Sequence, residues 1–434
     1  MKLVIIAGGK GTRLGTANVP KPMTKIGDRS VLEHQLALAK RYGIREVIVI
    51  SGHLANMTFD HLRDGATRGM RITHLIEPYP LGTAGSLALA KHLLTDRFLV
   101  FYGDVMLDMD LGRLIAFDRE SHALATLVVH PNDHPQDSDL VEIDDQARIV
   151  AWHKKPRPTG TCHRNVVNAG VYVCSPEIFQ HLAFGESSDF GRDVFPALIA
   201  RGQLVAAYNS AEFVKDMGTP DRLAEIDHAY RTGRIARMNR AHRRRAIFLD
   251  RDGVVLNFVD HLAKPDDVVL ARGAAEAIRQ INDSEHLAVM VTNQPMLAKG
   301  MLTHEGLERI HARMETLLAA ECGAYLDMIY HCPHHPERGF DGEVATLKID
   351  CDCRKPKPGM LLEAARQLNV DLPGSWMIGD TDADLLAGQK AGCQTILIDP
   401  RPARTARGGV AADLSSAVQL ILGKTAEIAR GKVA

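Results

Sequence analysis

Two aspartates that end an apolar run, Ala246-Ile-Phe-Leu-Asp250-Arg-Asp252-Gly253, are the residues of this chain best arranged for chemistry. Such a run reads as a short buried parallel strand whose C-terminal tip presents both carboxylates to a crevice. An isolated pair of this kind is equally a solvated turn, so its meaning depends on the residues downstream of it. A second arrangement lies at the start of the chain, where strand-like Lys2-Leu-Val-Ile-Ile runs into Ala7-Gly8-Gly9-Lys10-Gly11-Thr12-Arg13-Leu14-Gly15. A glycine-rich turn after a first strand is a phosphate cradle, because glycine permits the close approach that backbone N–H groups need. Two familiar phosphate motifs fail on spacing. The dinucleotide fingerprint requires a small residue where Leu14 stands, and the P-loop requires Ser or Thr where Gly11 follows Lys10.

The third arrangement is Tyr330-His-Cys332-Pro-His334-His335-Pro followed by Cys351-Asp-Cys353-Arg354-Lys355. Three cysteines and a histidine across so short a loop complete a tetrahedron with no position left for water, the pattern of structural zinc. Redox-active cysteines would favour C-x-x-C at a helix start, which is absent.

The elements that must carry these residues are those of α/β domains. A length of 434 residues suits two or three domains, each able to bury a core. Hydrophobic residues make up 45% and charged residues 24%, with a formal net charge of -1. That balance argues against bulk nucleic-acid or membrane-surface binding. The opening apolar run is too short for a signal-peptide core, and no run approaches a membrane span. Seven cysteines, three of them in one loop, fit a reducing compartment, so a cytoplasmic enzyme is expected.

Downstream of Asp250 come Val289-Met-Val-Thr292-Asn293-Gln294, Arg354-Lys355-Pro-Lys-Pro358 and Trp376-Met-Ile-Gly379-Asp380-Thr381-Asp382. Together with the aspartate pair they resemble, in order, the four motifs of the haloacid-dehalogenase phosphatases. The resemblance implies that Asp250 attacks phosphorus and Asp252 is the acid and base. It also implies that Thr292 and Asn293 donate to the phosphoryl group, and that Lys355 supplies fixed positive charge. Mg²⁺ is implied at Asp250, Asp252 (through its carbonyl) and Asp380. Asp384 reads as a supporting acid or as an ordinary helix-face charge. The zinc loop narrows the resemblance to D-glycero-D-manno-heptose 1,7-bisphosphate 7-phosphatases, with histidinol-phosphate phosphatases second. It selects His334 over His335, giving Zn²⁺ at Cys332, His334, Cys351 and Cys353, and places Arg354 at the substrate. Two departures are Pro295-Met296 after T-N-Q, where a small-residue pair is usual, and Thr381, where lysine is frequent.

The N-terminal pattern G-G-x-G-T-R-L followed by Pro20-Lys21-Pro22 resembles the sugar-1-phosphate nucleotidyltransferases over roughly the first 225 residues. The resemblance implies phosphate-cradling at Gly8, Gly9, Gly11 and Thr12, and base and ribose contacts from Glu77, Gly82 and Thr83. It implies Mg²⁺ at Asp104 and Asp216, and sugar binding at Asn168. In the transfer, Arg13 would meet the leaving phosphates and Lys21 would bridge the reacting ones. Lys155 keeps the place of the lysine in the family's Glu-Lys-Pro, but Lys154 replaces the acid. Lys154 either accommodates extra negative charge or points to solvent. Ser188-Asp189-Phe190-Gly-Arg-Asp-Val-Phe195-Pro resembles a segment of mannose- and heptose-type guanylyltransferases and reads as a capped helix with a structural role.

The expected organisation is therefore a Rossmann-like nucleotidyltransferase domain at 1–228, a basic linker at 229–245 and a haloacid-dehalogenase-like Rossmannoid domain at 246–434. The expected partners are a nucleoside triphosphate, with GTP favoured, and a phosphorylated sugar; a homo-oligomer remains open. The combined function would be removal of the 7-phosphate of heptose bisphosphate and nucleotidyl transfer to the heptose 1-phosphate. Competing readings are a mannose-1-phosphate guanylyltransferase joined to another small-molecule phosphatase, and a scaffold with inactive sites.

Overall fold

The computed structural model describes residues 1–9, 19–401 and 409–431. The chain divides into two compact units, one of Met1–His130, Gln136–Arg157 and Val166–Ala241, the other of Pro131–Pro135, Pro158–Asn165 and His242–Ala434. Gly11, Thr12 and Arg13, predicted to meet phosphates, lie outside the described residues.

The first unit is a mixed sheet. Its strands are β1 (Lys2–Ala7), β2 (Glu46–Ser51), β3 (Arg71–Ile76) and β4 (Phe98–Tyr102), with β5 (Val105–Asp108) in a separate ladder. There follow β6 (Ala125–His130), β7 (Leu140–Ile143), β8 (Ile149–His153), β9 (Val167–Cys174), β10 (Val205–Asn209) and β11 (Phe213–Asp216). The spatial order is β8-β7-β9-β4-β1-β2-β3, with β6 beside β9 and β10 beside β6. β1 is parallel to β2 and β4, whereas β9 runs antiparallel to β4. Leu3, Val4 and Ile5 are wholly buried. A continuous apolar run is what a central strand covered on both faces requires. Helix α1 (Val31–Arg41) starts at Ser30, which accepts from the Glu33 amide while Glu33 accepts from the Ser30 amide. That reciprocal cap satisfies two otherwise orphaned donors.

The small β5–β11 ladder positions the site. Asp216 pairs with Val105, and the Met217 amide donates to the Asp104 carbonyl at 3.0 Å, so the two expected metal aspartates are brought alongside each other.

The stretch 229–245, expected as a basic linker, is built into structure over most of its length. Helix α3 (Pro220–Arg231, after α2, Gly82–Ala88) runs into it, α4 covers Arg234–Arg237, and Arg245 opens the next strand. Ala229 and Ile235 are buried with Ile26, Met106 and Phe213. Arg240 is buried and donates to the Tyr208 hydroxyl at 2.8 Å. Arginine stems cover apolar surface while their heads find acceptors, so a basic run need not be a solvated one.

The second unit is a parallel sheet of β12 (Arg245–Leu249), β13 (His286–Asn293), β14 (Met328–Cys332), β15 (Trp376–Gly379), β16 (Gln394–Ile398) and β17 (Val410–Ala411). The order is β14-β13-β12-β15-β16-β17. Helices α5 (Ala274–Asp283), α6 (His304–Cys322), α7 (Gly359–Leu368), α8 (Asp382–Ala391) and α9 (Leu414–Gly431) complete it. Ile247, Phe248 and Leu249 are fully buried, each contributing roughly 1.5–3 kcal/mol of burial. Asp250, Thr292, Asn293, Cys332 and Asp380 all stand at or just beyond C-terminal strand ends. That is the edge where open α/β sheets bind ligands. Gly253 has φ +82°, and a Cβ there would run into the Asp380 carboxylate, so only glycine fits. No described helix is long and apolar enough to cross a membrane.

Candidate active sites

In the second unit the centre is a buried ammonium. Lys355 Nζ lies 2.8 Å from Asp250 Oδ1 and 2.6 Å from Asp384 Oδ1, and also donates to the Val291 carbonyl at 2.8 Å. Burial would lower the Lys355 ammonium, but Asp250 and Asp384 outweigh it and raise it, so the lysine is charged. Asp250 is pushed up from the ordinary carboxylate range, by burial first, with Lys355 opposing and Asp384 reinforcing the shift. Asp380 is pushed up to about 6 by burial and by Asp384.

Carboxylate oxygens of Asp250, Asp380 and Asp384 lie within 4.8 Å of one another. Three crowded carboxylates and one lysine leave an excess of negative charge, which suits a hard divalent cation with oxygen ligands. The side chain of Asp252, expected in the Mg²⁺ set through its carbonyl, is held elsewhere. Arg251 donates to both its oxygens at 3.0 and 2.9 Å, and Gln294 Nε2 to Oδ2 at 3.2 Å. Asp384, left open by the sequence, is at once the partner of Lys355 and the N3 residue of a capping box with Thr381. Thr381 thus has a helix-capping role where the resembled family often has lysine.

Thr292 is buried and accepts from Gln294 Nε2 at 2.9 Å. Asn293 is committed at both ends to the backbone of Lys355, donating to its carbonyl and accepting from its amide, each at 3.0 Å. Expected as a phosphoryl donor, it stands here as the residue that fixes the lysine's main chain.

Two residues before Lys355 ends the cysteine cluster. Cys332 Sγ is 3.5 Å from Cys351 Sγ, and Cys353 Sγ is 3.2 Å from each. His334 Nδ1 is 3.3 Å from Cys353 and 3.7 Å from Cys332. Four ligands around zinc at its usual bond lengths stand about 3.5–3.8 Å apart, and the cluster comes within about 0.6 Å of this, Cys353 being the tightest. None of these cysteines is in a disulfide. Contact with Cys332 and burial push the Cys353 thiol up, so a cation is needed for all three to be thiolates. His335, the competing ligand, instead packs edge-on against Phe340. Arg354 donates to the His334 carbonyl at 3.2 Å.

In the first unit Lys21 Nζ meets Asp104 Oδ2 at 2.6 Å. Asp216 accepts from Arg222 Nη1 at 3.1 and 2.9 Å and from the Gly218 amide at 3.0 Å. Gly8 and Gly9 follow β1, and a Cβ on Gly8 would strike the Glu77 carboxylate, which Ser86 hydrogen-bonds. Gly82, at φ +71°, opens α2 against the Ser188 carbonyl. Thr83 Oγ1 donates to Asp189 at 3.1 Å and accepts from the Phe190 amide at 3.0 Å. The 188–190 segment therefore braces the turn that carries Gly82 and Thr83. Asn168 Nδ2 donates to the Tyr172 hydroxyl at 3.1 Å. Lys154 is exposed, as is Lys155, whose Nζ reaches Asp137.

Comparison with known proteins assigns both units. A family model described as nucleotidyl transferase matches residues 2–233, and one described as HAD-hydrolase-like matches 352–400. A D-glycero-beta-D-manno-heptose-1,7-bisphosphate 7-phosphatase of Haemophilus ducreyi is 40% identical over 183 residues, 41% of this chain and 97% of its own length. Its namesake in Pasteurella multocida is 44% identical over 34% of this chain and 77% of its own length. A mannose-1-phosphate guanylyltransferase of Mycobacterium tuberculosis is 34% identical over 222 residues, 50% of this chain; the match spans 61% of that relative. The chain belongs to the nucleotidyl transferases in its first half and to the HAD-like phosphatases in its second. It is an enzyme of both classes.

In the phosphatase half, the residues that sequence reasoning missed or left open are Asp384, Arg251 and Gln294; in the transferase half they are Arg222, Asp137 and Asp189. Asp384 had a signal, since Thr381 three residues earlier spells a capping pair. Arg251 and Gln294 lie within the quoted motifs, next to Asp252 and Asn293, whereas Arg222 reaches Asp137 across a long separation that gives no local signal.

Two outcomes are expected. Mg²⁺ should raise the phosphatase half's melting temperature at about pH 7.5 and much less at about pH 5, because a cation must displace the proton from its carboxylates. The sign follows from Asp380: its folded value of about 6 lies above its ordinary 3.8, so protons compete with metal as pH falls through about 6. Thermal unfolding with and without Mg²⁺ reads this, and a pH-independent gain would contradict it. Second, metal analysis should find one zinc per chain, released by Cys351→Ser with loss of phosphatase turnover. Structural zinc is worth on the order of 10 kcal/mol; a zinc-free, fully active protein would refute the assignment.

Proposed function

We propose that the chain catalyses two consecutive steps in nucleotide activation of a heptose. The phosphatase half hydrolyses the 7-phosphate of D-glycero-D-manno-heptose 1,7-bisphosphate, and the transferase half joins the resulting 1-phosphate to GMP from GTP, releasing pyrophosphate. The observation that carries the proposal is Lys355, set between Asp250 and Asp384 directly after Cys353 and Arg354. The similarity to heptose-bisphosphate phosphatases over nearly their full length supports the sugar.

In the first reaction Asp250 Oδ attacks phosphorus, the bond from phosphorus to the sugar oxygen breaks, and Asp252 gives that oxygen a proton. Asp252 then takes a proton from the water that hydrolyses the aspartyl-phosphate. Lys355 keeps positive charge beside the nucleophile, and Asp250, the Asp252 carbonyl and Asp380, with Asp384 alongside, would hold Mg²⁺. Arg251 and Gln294 aim the Asp252 carboxylate. In the second reaction a sugar phosphate oxygen attacks the α-phosphorus in line. Lys21, Arg13 and Lys155 offset the phosphoryl charge, and Asp104 and Asp216 would hold the second Mg²⁺. Bound at these sites, the cations would stabilise charge building on the phosphoryl oxygens.

Guanine is favoured by Glu77. Its buried carboxylate can only accept hydrogen bonds, and guanine alone among the four bases offers two adjacent donors, N1–H and the N2 amino group. A second reading, mannose 1-phosphate as acceptor, is favoured by the similarity to mannose-1-phosphate guanylyltransferases.

Variants separate the steps. Asp250→Asn should abolish phosphate release while sustaining nucleotidyl transfer to supplied sugar 1-phosphate, and Asp104→Ala should do the reverse. Each loss is expected to exceed about 100-fold, the scale of removing a nucleophile or a metal ligand. One substitution disabling both reactions in folded protein would overturn the two-site proposal.

A further inference from the structure

Between the residues expected to meet the sugar phosphate and those expected to hold its metal runs a chain of alternating charge. Lys155 Nζ lies 3.3 Å from Asp137 Oδ1 and donates to the Asp137 carbonyl at 2.5 Å. The other oxygen, Asp137 Oδ2, accepts from Arg222 Nη2 at 2.9 Å. The same guanidinium turns Nη1 to Asp216, at 2.9 and 3.1 Å. The Lys155 amide donates to Asp139 at 3.1 Å, which fixes the backbone from which the lysine reaches.

Two features distinguish Asp137 from an ordinary surface acid. Its oxygens are divided between two cations, as two oxygens of a phosphate would be. Partial burial works against its charge, but Arg222 and Lys155 hold it below the usual carboxylate range, so it is an anion at neutral pH. The grip is nevertheless weak. The side chains of Lys155 and Asp137 are 44% and 50% exposed, and exposed ion pairs gain little. A phosphate dianion offers more charge and more acceptor oxygens to the same two donors.

We propose that Asp137 is an internal stand-in for the sugar's 1-phosphate: it holds Lys155 and Arg222 until the substrate arrives and is displaced by it. Arg222 is then a sugar-phosphate ligand. Its move from Asp216 removes one cation competing for that carboxylate, so sugar phosphate and metal help each other bind, with reciprocal coupling. This rests on reading the first half as a sugar-1-phosphate nucleotidyltransferase with Lys155 at the phosphate.

The test is steady-state nucleotidyl transfer by the full chain with heptose 1-phosphate and GTP, varying sugar and Mg²⁺. Asp137→Asn removes the competing anion and should lower the KM for the sugar phosphate by about 2- to 5-fold, the scale of an exposed ion pair. Arg222→Gln should raise that KM by about 10-fold or more, the loss of a charge-assisted hydrogen bond. It should also lower the Mg²⁺ concentration for half-maximal rate, because one cation competing for Asp216 is gone. A merely structural Arg222 would not improve metal use while weakening sugar binding. Should Asp137→Asn not fold, Asp137→Ser makes the same measurement. An unchanged or raised KM in an Asp137 variant that melts like wild type overturns the proposal. A wild-type chain that transfers no nucleotide to any sugar 1-phosphate overturns the underlying reading instead.

Discussion

An ammonium group buried between two carboxylates is a demand on everything around it. Lys355 has left water almost completely, and an uncompensated charge in such a place costs about 3–5 kcal/mol. Asp250, Asp384 and the Val291 carbonyl compensate it, and they come from two strand ends and the first turn of a helix. Remove the alignment of β12, β13 and β15 and these partners no longer converge. The lysine's main chain is fixed separately, by both polar ends of Asn293 and by the cysteine cluster that ends two residues earlier. The Cys₃His loop therefore bears on where Lys355 stands, by fixing the chain that leads into it.

The same crowding explains why a cation belongs there. Asp250 and Asp380 are both pushed toward holding protons by burial and by Asp384, the mark of a carboxylate cluster lacking enough positive charge. The Asp252 carboxylate stands apart from this trio, held by Arg251 and Gln294. The proposed nucleophile lies beside the lysine and the proposed acid beside an arginine, so their neighbours would separate the two carboxylates in role.

Much of this was legible in residue order. Apolar runs ending in Asp104, Asp250 and Gly379-Asp380 announce parallel strands and their functional tips, because burial on both faces demands continuous hydrophobicity. Cysteine spacing announces a tetrahedron, since ligand geometry fixes loop length. The hidden part depends on which charged side chain meets which across long separations. Arg222 on Asp137 and Asp216 has no local signature. The 229–245 stretch reads as a basic linker from its arginines, whereas Ala229 and Ile235 pack into the core. Asn293 also bonds the Lys355 backbone through both ends of its carboxamide, a pairing that only the fold creates.

The two halves make chemical sense together, since a phosphatase that spares C1 yields the acceptor that a sugar-1-phosphate transferase needs. The most direct measurement is product analysis by mass spectrometry after the full chain is given D-glycero-D-manno-heptose 1,7-bisphosphate and GTP. The expected product is GDP-heptose without a 7-phosphate, with one phosphate and one pyrophosphate released for each nucleotide sugar formed. A nucleotide sugar still phosphorylated at C7, or phosphate release with no nucleotide sugar, would contradict the two-step function.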